Sequence, residues 1–257
     1  MASLTSERIL LWPLFLGAGW VAGFVDSIAG GGGLITVPVL LGTGLPPAEA
    51  LATNKLQSTF GSGSAAWQYR RANLVSWKEA WVGVMATALG ALGGVLAVSR
   101  LDPALLRKAI PFFLMVAILL VWRRPQLGSV ERTARVGRIP FQLGFGVLLG
   151  FYDGFFGPGT GTFWMVAIVM LLGFEMLRAT AWTKWMNFTS NAVALAAFAC
   201  TTRFDWGAGL SMGVGQWLGA RSGARVAMRG GSKLIRPVFL AVAVAATTKL
   251  FYDGWLR

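Results

Sequence analysis

The stretch Gly23-Phe-Val-Asp26-Ser-Ile-Ala-Gly30-Gly-Gly-Gly33-Leu34 places a carboxylate and four consecutive glycines inside one of the most apolar parts of the chain. A similar stretch follows 127 residues later, Gly150-Phe-Tyr-Asp153-Gly-Phe-Phe-Gly157-Pro-Gly159-Thr160-Gly161. A helix crossing lipid ordinarily avoids both features. An ionisable side chain at bilayer depth is costly and marks function by default. A glycine run unwinds a helix, and unwound backbone survives at that depth only where protein or a polar cavity satisfies it. Two such interruptions at corresponding places point to the binding site of a transporter built from repeats.

The segments around the first stretch fit this reading. A first helix is expected from Arg8 to Ile28, with Trp12 near one interface. After the Gly30–Gly33 break comes a short apolar piece, Leu34 to Leu41. Ten residues of helix rise only about 15 Å, half a bilayer core. Pro46-Pro47 and Glu49 mark the start of the next helix, Ala48 to Tyr69, which carries the polar run Thr53-Asn54-Lys55-Leu56-Gln57-Ser58-Thr59. Trp77 to Val98 and Ala104 to Trp122 read as two ordinary spans. Residues 123–138 hold five arginines, one glutamate, a proline and two glycines, which reads as a linker.

The second part replays the first. From Lys55 onward the offset is 129 residues: Lys55 falls on Lys184, Trp77 on Trp206, Gly90 on Gly219, Gly94 on Gly223 and Arg107 on Arg236. The expected organisation is therefore an all-α polytopic bundle of two homologous halves with eight to ten spans. Residues 1–122 form the first transmembrane repeat, 123–138 a basic linker and 139–257 the second repeat, with helices broken at the Gly-rich motifs. The short pieces, Leu34–Leu41 and Thr162–Gly173, either cross or do not. If they cross, 14 basic residues share one face against 7 on the other; if not, the split is 12 against 9. The stronger asymmetry favours five crossings per half, both termini outside and inverted halves.

Composition agrees with a multi-pass membrane protein. The chain has 257 residues, 55% of them hydrophobic and only 13% charged, where a soluble domain carries about a quarter charged residues. Its mean hydropathy is +0.62. The formal charge of +13 lies mostly in short loops between apolar segments, as the positive-inside rule describes, so the lipid bilayer rather than nucleic acid is the expected partner. There is no histidine, which removes His-based catalysis and metal binding. No nucleophile–base set is present, so no enzyme, cofactor or metal is expected. The Gly30–Gly33 run is not a nucleotide loop, because no strand precedes it and no Gly-Lys-Thr follows. The single cysteine, Cys200, reads as a packed core thiol.

Lys55 and Lys184 are the basic residues that fall deep in apolar sequence. Each costs about 2.5–3.5 kcal/mol at a helix centre unless paired or hydrated. Glycine loops leading into helix N-termini offer free N–H groups and positive dipole ends, which suit a small oxyanion. The expected site is therefore an anion site of Gly30, Gly31, Gly32, Asn54, Lys55, Gln57 and Ser58 from one half. Gly157, Gly159, Thr160, Thr183, Lys184, Asn187 and Asn191 come from the other. The plainer reading is internal salt bridging, Asp26 with Lys55 and Asp153 with Lys184. Between the two stands proton coupling: protonation of Asp26 or Asp153 would release its lysine to hold substrate. A cation permease with Asp26 and Asp153 as ligands is the weaker alternative, for want of further ligands. Gly90, Gly94, Gly215, Gly219 and Gly223 read as close helix packing. The tryptophans read mostly as interface anchors, with Trp67, Trp182 and Trp185 near the polar helices.

The pattern from Gly23-Phe-Val-Asp26 through the glycine run, then Leu51-Ala-Thr53-Asn54-Lys55, then Gly150-Phe-Tyr-Asp153 through Gly161, resembles the TauE/SafE sulfite exporter family over nearly the whole chain. The resemblance implies a bacterial inner-membrane transporter of sulfite, sulfonates or related small anions. Members differ in substrate, so another small carboxylate or inorganic anion stays open. The second half has Trp182-Thr183-Lys184 where the first has Thr53-Asn54-Lys55, so the two half-sites are expected to be unequal.

Overall fold

The computed structural model describes residues 11–97, 115, 119 and 128–252. The start of the first helix at Arg8, the span Ala104–Trp122 apart from residues 115 and 119, and the first part of the expected linker lie outside the described residues. All the elements within them are helical: α1 (Trp12–Ala29), α2 (Gly33–Gly42), α3 (Pro47–Arg71), α4 (Trp77–Ala97), α5 (Arg138–Phe155), α6 (Thr160–Ala167), α7 (Met176–Ala199) and α8 (Trp206–Phe251). A single π-helical turn, Ile168–Leu172, extends α6. The boundaries follow local chemistry. Pro47 opens α3, where a missing N–H costs nothing. Asp205 caps α8 by accepting from the Ala208 N–H at 3.0 Å. Gly231, with φ 53° and ψ −152°, breaks α8 into two stretches, 206–230 and 232–251.

Both Gly-rich stretches interrupt the helices, as the sequence predicts. α1 stops at Gly30 (φ 84°), and α2 doubles back: Leu40 packs with Phe15 near the start of α1 and with Met212 of α8. α6 does the same. Beyond its end, the Leu171 and Gly173 carbonyls accept from the Arg135 and Arg132 N–H groups, just before α5 begins. Each of α1–α2 and α5–α6 is thus a hairpin whose tip is a glycine break. The tips meet: a Cβ on Gly30 would stand 2.9 Å from the carbonyl carbon of Gly161.

Glycine rows set the closest helix contacts. Along α1 and α8, Gly19 lies against Met212, Gly23 against Gln216 and Trp20 against Gly219. Along α4 and α5, Gly90 lies against Val147, Gly94 against Phe151 and Gly150 against Thr87. Within each row partner numbers rise together, from Gly19–Met212 to Gly23–Gln216 and from Gly90–Val147 to Gly94–Phe151, so each pair is parallel. Without a hydrophobic drive between helices in lipid, close approach of small residues supplies the association.

α1, α4 and α8 are long and apolar enough to cross a bilayer. α3 and α7 are the polar helices, and they run through the middle of the bundle with Thr53, Lys55, Gln57, Thr183, Lys184 and Ser190 buried. One end of the bundle gathers Arg70, Arg71 and Lys78 with Arg138 and Arg178, which pair with Glu79 there. This basic end is the one on which the sequence count put the larger share of positive charge. Cys200 corrects an expectation. It follows the last residue of α7 and is exposed, because the helix ends before the thiol could turn inward.

Candidate functional site

Between the two breaks and the midpoints of α3 and α7 lies a cavity of about 40 Å3. A water needs roughly 10–15 Å3 of such space, so there is room for a few waters or one small guest. Asp26, Asp153, Gly31, Gly32, Asn54, Lys55, Ser58, Gly157, Gly159, Thr160, Asn187 and Asn191 line it. Twelve of the sixteen residues singled out in the sequence, ligands and proton-coupling aspartates together, are therefore brought to one place. Gly30, Gln57, Thr183 and Lys184 are not in the lining. Gly30 is spent on the contact between the hairpin tips. Gln57 donates to Asn54 Oδ1 at 2.7 Å and to Thr36 at 3.0 Å, behind the cavity wall. Thr183 bonds its hydroxyl back to the Ala179 carbonyl.

The ion pairs overturn the expected partners. Lys55 Nζ donates to Asp153 Oδ1 at 2.9 Å and to the Asp153 carbonyl at 2.6 Å. Lys184 Nζ donates to Asp26 Oδ2 at 2.8 Å. The pairing is crossed, not Asp26 with Lys55 and Asp153 with Lys184. The hairpins explain it: the meeting of their tips carries α5 and its aspartate to α3, and α1 and its aspartate to α7. The expectation of two ammonium groups facing the cavity is corrected as well, since Lys184 is sealed behind Asp26 with its side chain 0% exposed.

The two aspartates are held differently. Asp153 also accepts from the hydroxyls of Thr160 and Ser190, and its side chain is 6% exposed. Asp26 accepts from the Gly32 N–H at 3.0 Å and from Lys184, and is 17% exposed. The surroundings of the two aspartates are thus unequal. Trp182 is buried against Phe174 and does not reach the cavity. Asn187 also lines the cavity, and its buried Oδ1 has no hydrogen-bond partner among the described residues. The first N–H groups of a helix lack intrahelical acceptors, and α2 and α6 both begin at this cavity.

Sequence reasoning missed Gly33, Gly161 and Gln216 in the lining, and Ser190 on Asp153. The two glycines close the very runs that were singled out. Ser190 sits three residues after Asn187 on the same face of α7, a spacing that could have found it. Gln216 lies in a glycine row and gives no comparable signal.

The family model for the sulfite exporter TauE/SafE matches residues 15–250. The chain belongs to the TauE/SafE family. It is 45% identical to a probable membrane transporter protein, ORF9, of a Sinorhizobium species, over 95% of this chain and 93% of that one. It is 42% identical to the probable membrane transporter protein YfcA of Escherichia coli K12, over 97% and 94%. A probable membrane transporter protein of Haemophilus influenzae is 43% identical over 93% and 94%. No solved structure matches the chain. This TauE/SafE protein is a membrane transporter and not an enzyme.

Proposed function

We propose that the chain is a multi-pass inner-membrane exporter of small sulfur-containing oxyanions, sulfite or an organosulfonate, and that the anion is held between the two glycine breaks. The crossed quartet of Asp26, Lys184, Asp153 and Lys55 carries the reading. Two carboxylates and two ammonium groups leave the buried site formally neutral, which suits groups kept away from water. Protonation of one carboxylate frees an ammonium beside helix N-termini and amide donors. A singly charged anion, such as hydrogen sulfite or a sulfonate, arriving with that proton restores neutrality. Transport is then electroneutral, and its direction follows the proton and anion gradients together. Asn54, Ser58, Thr160, Asn187 and Asn191 supply the remaining polar contacts.

The matching order of helices before and after the linker, with hairpins that enter from opposite ends, supports two inverted repeats around this site. Rocking of one repeat against the other is the corresponding route to alternating access. The family description supports sulfite as the first cargo to try.

The test is counterflow of labelled sulfite or sulfonate in proteoliposomes beside a monovalent cation control. Anion uptake without cation uptake, abolished by Lys55→Ala, supports the reading. Undiminished uptake by a folded Lys55→Ala/Asp153→Asn protein would reduce the pair to a scaffold.

A further inference from the structure

A groove of about 460 Å3 lies where α3, α7 and α8 meet. Arg71, Gln68 and Arg221 line it toward the basic end, and Thr59, Phe188 and Trp217 line it deeper in the bundle. On three helices in turn, the residue just before one of these deeper residues lines the central cavity. Ser58 precedes Thr59, Asn187 precedes Phe188 and Gln216 precedes Trp217. Neighbouring residues of a helix point about 100° apart, so a single layer of helix surface separates groove from cavity. Phe188 closes this layer from α7, with its ring 3.0 Å from where a Cβ on Gly63 would stand.

The charge in the groove differs from that in the cavity. The cavity's lysine, Lys55, is neutralised by Asp153, whereas among the described residues no acidic side chain lines the groove. Among the described residues no carboxylate pairs with Arg71 or Arg221. Arg221 Nε is buried and has no hydrogen-bond partner among the described residues. A cleft with one sign of charge and apolar walls concentrates ions of the other sign.

We infer that this groove is the vestibule from which the anion enters the cavity at the basic end, with Arg71 and Arg221 attracting it and Phe188 as the door. The inference rests on the anion-transport reading. Moving the Phe188 ring off Gly63 joins the two spaces beside Ser58 and Asn187.

Thiol labelling of the full chain in proteoliposomes tests this without any transport assay. In a Cys200→Ser background, which removes the only cysteine, Thr59→Cys and Gln68→Cys are treated with sulfonatoethyl methanethiosulfonate or its cationic aminoethyl counterpart. Rates are normalised to free cysteine. The anionic reagent is expected to react at least about tenfold faster at both positions, and Arg71→Gln/Arg221→Gln to remove the preference. Ser58→Cys, on the cavity side, is expected to label slowly and to gain at least about tenfold on adding Phe188→Ala. Equal rates for the two reagents, no effect of the arginine pair, or no effect of Phe188→Ala overturns the vestibule. Labelling seen in detergent but blocked in phosphatidylglycerol liposomes would put a lipid in the groove and overturn it too. If the anion reading itself is wrong, counterflow fails while this labelling pattern stands, so the two failures are distinguishable.

Discussion

Lys55 on α3 holds its ammonium 2.9 Å from the carboxylate of Asp153 on α5, across the meeting point of the two hairpin tips. Both side chains are almost fully buried, and a reciprocal bond runs from the fully buried Lys184 to the more open Asp26. Each polar helix is therefore tied to the hairpin on the other side of the linker. Replacing a buried pair by apolar groups is often neutral, but removing one partner strands a charge.

That asymmetry gives a stability prediction. Lys55→Ala alone is expected to cost about 3–5 kcal/mol in unfolding free energy, and Lys55→Ala/Asp153→Asn to recover most of it. Lys55→Ala/Asp26→Asn is expected to recover none, since it leaves two charges unpaired. Unfolding of purified protein in detergent, run as a double-mutant cycle, reads the coupling directly. Coupling to Asp26 in place of Asp153 would contradict the crossed arrangement.

In the proposed cycle, the different surroundings of the two aspartates make Asp26 the one to test for the proton step. Asp153 is enclosed by Lys55, Thr160 and Ser190, whereas Asp26 faces the cavity with more of its surface open. Asp26→Asn strands the buried Lys184 and is expected to cost stability, and in the fraction that stays folded to abolish the dependence of anion uptake on a pH gradient. Asp153→Asn is expected to lower stability first. Uptake measured against imposed gradients, beside melting temperatures, separates the two; a gradient dependence that survives Asp26→Asn would move the proton elsewhere.

Much of this was legible because lipid punishes polar residues and broken helices, so the sequence has to display both openly. Gly30–Gly33, Gly157–Gly161, Asn54, Lys55, Asn187 and Asn191 stand out against apolar neighbours, and all reach the same region. The partner of each lysine was not legible. The sequence offsets set Lys55 against Lys184 and Asp26 against Asp153, but either way of pairing them leaves the same pattern. Only the contact of Gly30 with Gly161, made between distant parts of the chain, decides it. Gln216 was hidden for another reason: the packing row around it explains its neighbours and leaves nothing that calls for a cavity residue.

The glycine rows predict opposite outcomes for one chemical change. On Gly219 a side chain would run into the Trp20 carbonyl, whereas around Gly17 and Gly144 nothing lies within 4 Å. Gly219→Ala is expected to lose about 1–3 kcal/mol through overpacking. Gly17→Ala and Gly144→Ala should be neutral or gain up to about 1 kcal/mol through helix propensity. Melting temperatures of the three variants decide it.

At the basic end, burial first and the nearby Glu131 second push the Glu175 carboxyl above its ordinary value, against the opposing pull of Arg178 and Ser232. A carboxyl raised in the folded state stabilises while protonated, and that contribution is lost as pH rises through the raised value. Glu175→Gln should therefore match the wild type near about pH 4, then become slightly the more stable as pH climbs beyond the ordinary carboxylate range. The effect is small because Glu175 is partly exposed. Unfolding followed across that range checks the sign, and a variant that weakens only at neutral pH would reverse it.

Gly30 and Gly44 separate backbone strain from the contact that joins the hairpins. Both have left-handed φ values, 84° and 81°. A Cβ on Gly44 meets nothing within 4 Å, whereas one on Gly30 would press on the backbone of Gly161 and Thr162 at 2.9–3.0 Å. Strain at such a φ costs on the order of 1–3 kcal/mol for a residue with a side chain, so Gly44→Ala should lose about that and keep its transport. Gly30→Ala bears the same strain and in addition forces the tips apart, and neither backbone can yield as a side chain would. It is expected to lose more stability and also to weaken both Lys55–Asp153 and Lys184–Asp26, because those pairs form only where the tips meet. Transport should then fall even in protein that stays folded. Equal losses at the two glycines, with transport intact in both, would mean that the tip contact does not set the geometry of the site.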